Sequence, residues 1–217
     1  LPDKKMENFY WAQMYKLASA TRIGGGLLDN SGPWQVLTPW PNAWWNLNVQ
    51  LSYWSVYASN RLELGMPLVD VVKNNFNNLI SNVPEAYRKE AAALPVCTDF
   101  SLIGVDIRVP GSEKFAQVGN LPWLCHNLWL QYRFSMDESI LRNVLFPTLR
   151  RAINFYIPFL EEDEQGILHL KETYSPEYGS AKDCNYDIAL LRWGCQTLLE
   201  ASRILSVKDN LIPKWQQ

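Results

Sequence analysis

The sequence predicts an all-α protein, arranged as a segment of an α/α toroid, and three observations carry that expectation. Apolar residues recur at three- and four-residue steps along most of the chain, the period of a helix with one buried face. Hydrophobic residues make up 47% of the 217 positions, enough to bury a sizeable core in one large domain. The helical stretches are joined by loops of uneven length and show no close internal repeat, which favours paired helices over a regular solenoid.

The first helix is read from Met6, Phe9, Tyr10, Met14 and Leu17. A second runs from about Asn48 to Leu64, with Leu47, Leu51, Trp54, Ala58 and Leu62 on one side and Gly65 as its stop. Leu68, Val71, Val72, Phe76, Leu79 and Ile80 mark a third, and Leu121, Leu124, Cys125, Leu128 and Tyr132 a fourth. Ile140, Leu141, Val144 and Leu145 open a fifth. There Pro147, which fixes φ and lacks an N–H, is expected to kink the helix or start a new one, and Pro158 does the same near its end. The last helix is marked by Ile188, Leu191, Cys195 and Leu198.

Three irregular stretches lie between these helices. Ile23 to Trp45 holds Gly24-Gly25-Gly26, Ser31-Gly32-Pro33, Pro39 and Pro41 together with four Trp, too broken for a helix and too aromatic for a plain solvated linker. Leu94 to Asn120 includes a short β-like alternation around Ile103–Val109. Gln165 to Asn185 opens with a Gln-Gly turn. Long loops on a helical scaffold are where function concentrates.

Several classes of partner and cofactor are excluded by composition. With 20 basic and 22 acidic residues the net charge is −2, and no basic stripe is present to meet a nucleic acid backbone. No run of eighteen apolar residues occurs, so no membrane-spanning segment is expected. Leu1-Pro2-Asp3-Lys4 lacks the layout of a signal peptide, and Leu1 in place of Met suggests a processed or excised chain. Cys97, Cys125, Cys184 and Cys195 have no paired zinc spacing, and with His126 and His169 widely separated no metal site is expected. His126 reads as a hydrogen-bonded structural histidine. Gly24-Gly25-Gly26 lacks the signature of a phosphate loop, and no cofactor is expected.

Two segments hold polar groups suited to chemistry. In Trp44-Trp45-Asn46-Leu47-Asn48-Val49-Gln50-Leu51-Ser52-Tyr53-Trp54, an extended start would point Asn46 and Asn48 the same way, aiming two amides at one water or sugar hydroxyl. The other reading is that one of them caps the following helix. Gln50 and Tyr53 add polar atoms, and Trp44, Trp45 and Trp54 offer flat faces for a sugar ring or for a core. In Ser175-Pro176-Glu177-Tyr178-Gly179, Pro176 and Gly179 fix the local backbone. Glu177 would then be presented rigidly among aromatic neighbours that desolvate it, as a general acid requires, although a plain turn accounts for the same residues. Asp183 and Asp187 read as charges at a helix N-terminus.

Taken in order, these pieces resemble the family 95 glycoside hydrolases, the α-L-fucosidase family. That family carries Asn-x-Asn-x-Gln-x-x-Tyr-Trp after a Pro-Trp and, farther on, Ser-Pro-Glu. Here they read Asn46 to Trp54, after Pro39-Trp40, and Ser175-Pro176-Glu177, with Trp123-Leu124, Leu128-Trp129, Tyr132-Arg133-Phe134 and Asp137 between them in the family's order. Phe155 to Leu160 and Gly166 match the approach to Ser-Pro-Glu, so the resemblance spans roughly Trp40 to Lys214. It implies an (α/α)6 barrel of the six-hairpin glycosidase type, of which residues 1–217 are a portion forming a partial toroid. It also implies hydrolysis of α-linked L-fucosyl or L-galactosyl residues with inversion, Glu177 matching the general acid and Asn46 and Asn48 the water-positioning asparagines. Trp44, Trp45, Gln50, Tyr53, Trp54 and Tyr178 are the implied substrate contacts. The implied partners are an oligosaccharide or polysaccharide and the missing parts of the parent chain, including its base aspartate, and the implied location is periplasmic or extracellular. This sequence departs from the family in having Tyr178 where Asn follows Ser-Pro-Glu, and Leu130-Gln131 where the family has Glu-His. Competing readings are a glycan-binding helical protein without catalysis, or an enzyme of another class on the same toroid, such as an α-L-rhamnosidase or a polysaccharide lyase.

Overall fold

The computed structural model describes residues 2–30, 38–105, 107–112 and 116–217. Ser31-Gly32-Pro33 and Asp106 of the sequence reading lie outside the described residues.

Helix α1, Lys4–Ala20, begins where the Asp3 carboxylate accepts the backbone N–H groups of Lys5 and Met6 at 2.9 and 3.3 Å. Its apolar stripe does not face the core: no residue of α1 is buried, and Met6, Phe9, Trp11 and Tyr15 are more than half exposed. Leu17, Ala18 and Ala20, at its C-terminal end, pack partly buried against the hydrophobic core, and the Arg61 guanidinium lies over the Trp11 ring. Periodicity marks the apolar face of a helix but not the neighbour that covers it.

The expected helix from Asn48 to Leu64 is shorter. Helix α2 spans Asn48–Ala58, Asn60 then turns the chain with φ of 55°, and a 3₁₀ turn follows at Leu62–Gly65. Helix α2 buries Val49, Tyr53, Val56 and Tyr57 beside helix α5, Asn120–Ser135, whose Leu121, Leu124, Cys125 and Leu128 are wholly buried in the same core. Asn127 of α5 donates to the Gln50 carbonyl at 2.9 Å, fixing the two helices in register. Gly65 leaves room for the Gln131 side chain, which a Cβ there would strike. The third expected helix divides at Asn75 into α3, Met66–Asn74, and α4, Phe76–Ser81.

Pro147 acts through the turn before it. Helix α6, Glu138–Ile140, widens into a π-helical turn at Leu141–Leu145, where the Phe146 N–H reaches back to the Leu141 carbonyl, and helix α7, Phe146–Asn154, continues with Pro147 in its first turn. The wider turn accommodates a residue that has no N–H to donate. Pro158 sits in a 3₁₀ turn, Ile157–Phe159, that ends the helical run. Helix α8, Asn185–Leu205, packs on α7 through Gly194, where a Cβ would meet Ile153, and a short α9, Ile212–Gln216, closes on it with Trp215 buried.

The loops hold short antiparallel pairs that the periodicity does not reveal. Strand β1, Ala43–Trp44, pairs with β2, Cys97–Thr98. Strands β3, Leu160–Glu162, and β4, Leu168–Leu170, form one hairpin, and β5, Thr173–Ser175, and β6, Gly179–Ala181, a second. A small core of Val83, Ala93, Ile107, Val118, Phe155, Tyr156, Phe159 and Leu170 seats this region on the helices. No helix of the described residues is long and apolar enough to cross a membrane.

Candidate functional site

The segment leading into α2 has an alternating face. Ala43 and Trp45 point inward and are fully buried, while Trp44, Asn46 and Asn48 are half exposed on the other side. Pairing of β1 with β2 holds this pattern, together with the Trp45 N–H on the Val96 carbonyl at 2.8 Å. The Trp44 indole donates to the Pro41 carbonyl at 2.7 Å, which fixes its ring. Neither asparagine caps α2: its N-cap position is Leu47, and no side chain accepts a capping bond there.

The second element is the tip of the β5–β6 hairpin. The Tyr178 N–H donates to the Ser175 carbonyl at 3.2 Å, closing a β-turn with Pro176 and Glu177 as its central residues. Pro176 supplies the fixed φ of the first central position, and Glu177 occupies the second with φ of 68°. That left-handed region usually selects glycine or asparagine, so the turn holds Glu177 at a backbone cost of roughly 1–3 kcal/mol. Gly179 follows with φ of 109°, carrying the chain back into β6.

These elements meet at one cavity of about 390 Å³. The segment before α2 contributes Trp40, Trp44, Asn46, Leu47 and Asn48, and the hairpin tip contributes Ser175, Pro176, Glu177 and Tyr178. Trp123 of α5 and Tyr186 of α8 complete the wall, their rings edge to face with centroids 5.9 Å apart. Both belong to the first turns of their helices, and helical periodicity alone gives no sign that they face a cavity. Glu177 is exposed and Tyr178 is 95% exposed, so the desolvation of Glu177 by its aromatic neighbours is not formed within the described residues.

Other expected contacts lie elsewhere. Trp45 is wholly buried and its indole donates to Thr98 Oγ1 at 2.8 Å. Gln50 is buried and its amide donates to the Trp45 carbonyl. Tyr53 is buried, and its hydroxyl accepts from the Leu28 N–H at 2.9 Å and lies 3.2 Å from Thr21 Oγ1. None of these three residues lines the cavity: Trp45 and Tyr53 spend their polar atoms on a neighbouring hydroxyl or the backbone, and Gln50 donates to the backbone while its Oε1 is buried without a partner among the described residues. Trp54 is partly exposed on α2 and lies against His126, away from the cavity lining. Gln131, at the departure from the family pattern, is buried and donates to the Leu62 carbonyl at 3.0 Å.

The remaining titratable groups take structural positions. His126 is not the hydrogen-bonded histidine expected: its Nδ1 is buried without a partner among the described residues, its ring lies between Trp54 and Trp193, and burial lowers its pKa. His169 bridges Asp183 through Nδ1 at 2.7 Å and Asp163 through Nε2 at 3.2 Å, and both carboxylates raise its pKa. Asp187 is more than a helix-terminal charge. It is fully buried, accepts the Tyr156 hydroxyl on Oδ1 and the Thr173 hydroxyl on Oδ2, both at 2.7 Å, and burial pushes its pKa up to about 6. Among the described residues, Glu177 is the carboxylate on the cavity wall; Asp183 and Asp187 are not part of it.

Comparison with known proteins is decided by one match, to the glycosyl hydrolase family 95 catalytic domain over residues 2–217. The chain belongs to glycosyl hydrolase family 95. It is 26% identical over 214 residues to alpha-L-fucosidase 2 of Arabidopsis thaliana, a match covering 92% of this chain and 25% of that protein. Against probable alpha-fucosidase A of Aspergillus niger it is 23% identical over 141 residues, covering 62% of this chain and 17% of the relative. This family 95 chain therefore spans about a quarter or less of the length of these relatives. Its mostly helical architecture agrees with a family 95 catalytic domain.

Proposed function

We propose that this chain carries the acid-bearing part of an inverting glycoside hydrolase site, with α-linked L-fucosyl or related L-galactosyl residues of a glycan as substrate. The observation that carries the reading is the joint presence of Glu177, Asn46 and Asn48 on one aromatic-walled cavity, although Asn48 and Glu177 lie 129 positions apart in the chain. The two fucosidase relatives support the choice of sugar.

In this mechanism Glu177 protonates the glycosidic oxygen as it leaves. The amides of Asn46 and Asn48 hold the attacking water, and an amide cannot remove its proton, so a carboxylate from a part of the parent protein outside this chain acts as base. Inversion places the two carboxyl groups about 6.5–9.5 Å apart with the water between them. Trp44, Trp123 and Tyr186 offer ring faces and edges to the apolar side of the sugar. We further propose that residues 1–217 are a portion of an (α/α)6 barrel and are inactive alone, the rest of the barrel enclosing the exposed Glu177 and covering the apolar face of α1.

Glu177→Gln in the full-length protein tests the reading. Hydrolysis of glycosides with poor leaving groups should fall by roughly 10²–10⁴-fold, while substrates with activated leaving groups should lose much less. Equal losses on both would remove the acid role from Glu177.

A further inference from the structure

We infer that Asp187 is a positioning residue for the Glu177 turn, acting through Thr173 at the base of the hairpin that carries it. This rests on the reading of Glu177 as the general acid.

A carboxylate that is wholly buried is normally paired with a cation. Asp187 forms no ion pair among the described residues; each of its oxygens accepts a hydroxyl at 2.7 Å, from Tyr156 and from Thr173, and the neighbouring Cys184 side chain adds a third hydrogen bond. Tyr156 is fully buried in the small core beneath the hairpins. Thr173 is the first residue of β5, two residues before the turn that opens at Ser175. Asp187 itself sits in the first turn of α8, directly after Tyr186 on the cavity wall. One carboxylate thus ties together the fixed core, the helix that supplies a wall ring and the strand that leads to Glu177. The remaining ionisable groups facing it are Tyr186 and Cys184, neither of which neutralises it. The backbone also anchors the hairpin, through the Tyr174 N–H on the Ala116 carbonyl at 3.1 Å and the Gly111 N–H on the Glu172 carbonyl at 2.7 Å, while the Thr173 hydroxyl links β5 to α8 at Asp187. An acid must meet the leaving oxygen within hydrogen-bond reach, so a shift of about 1 Å at the turn is enough to cost 10²-fold in rate.

The test uses Asp187→Asn and Thr173→Val in the full-length protein, beside Glu177→Gln. Asparagine offers one acceptor where the carboxylate offers two, and valine removes the strand's hydroxyl while keeping its shape. Each should lower kcat on glycosides with poor leaving groups by roughly 10- to 100-fold, with KM changed less than about threefold and activated substrates nearly unaffected. The double variant should be no slower than the worse single one, because both cut the same link. Equal loss on both substrate types, or a loss explained by the folded fraction alone, would make Asp187 merely structural and overturn the inference. If Glu177→Gln shows the leaving-group selectivity and neither other variant does, the inference falls and the role of Glu177 stands. If Glu177→Gln lacks that selectivity, both fall. Should Asp187→Asn not fold, Thr173→Val decides alone.

Discussion

Asp187 also makes a stability prediction whose sign is opposite to that of most aspartates. Its pKa rises from 3.8 to about 6 because burial disfavours the charged form, and hydrogen bonds from Thr173, Tyr156 and Cys184 only partly offset this. With the folded value above the unfolded one, the folded state holds the proton more tightly. The contribution to stability is fully present below about pH 3.8 and is lost as the pH rises through about 6. At about 1.4 kcal/mol per pH unit, the ionised carboxylate costs the folded state about 3 kcal/mol at neutral pH. Asparagine cannot ionise and escapes that cost. Urea unfolding of both proteins between about pH 3 and pH 7 should therefore show the stability difference moving in favour of Asp187→Asn by about 3 kcal/mol, since all other titrations cancel in the difference. A difference that stays flat across this range, or moves in favour of the wild type, would refute the reasoning. Retaining a charge at such a cost is what a role beyond stability predicts.

Glu177→Gly should leave stability unchanged or raise it by about 1 kcal/mol, because glycine adopts the positive φ of the turn without penalty; thermal unfolding checks this, and a clear loss would mean that the side chain supports the fold. Asn48→Asp in the full-length protein should lose turnover at an unchanged melting temperature, since no capping bond depends on the amide; lowered stability with activity per folded molecule intact would return the residue to a structural role. His169 has both ring nitrogens on carboxylates, an arrangement that only the protonated ring satisfies with two donors. Its raised pKa means stability that is present below about pH 6.5 and lost as the pH rises through the raised value, and proton NMR of the ring should place its titration above about 6.5 in wild type and lower in Asp183→Asn.

Much of this site was legible in the chain. The alternation of an extended segment placed Trp44, Asn46 and Asn48 on one side, and the Pro-Glu-x-Gly spacing marked a turn with a fixed carboxylate. Helices α5 and α8 followed from their apolar steps, because a 3.6-residue period sustained over four or more turns fits the geometry of a helix and not that of a strand. Tertiary structure decided what the period leaves open. The β3–β4 and β5–β6 pairs are three residues per strand, too short for any alternation to register, and they exist because a small core and an aspartate hold them on the helices. The sequence placed Trp45, Gln50 and Tyr53 beside the asparagines without saying which would be turned inward; burial against Thr98, Asn120 and Leu28 settled that. The stripe of α1 is apolar in sequence yet exposed in the described structure, since coverage depends on a neighbour and not on the helix itself. Asp187 shows the same division most clearly. Its place in the first turn of a helix is a local property, whereas its burial and its two hydroxyl partners come from segments 14 and 31 residues away that only the fold brings to it.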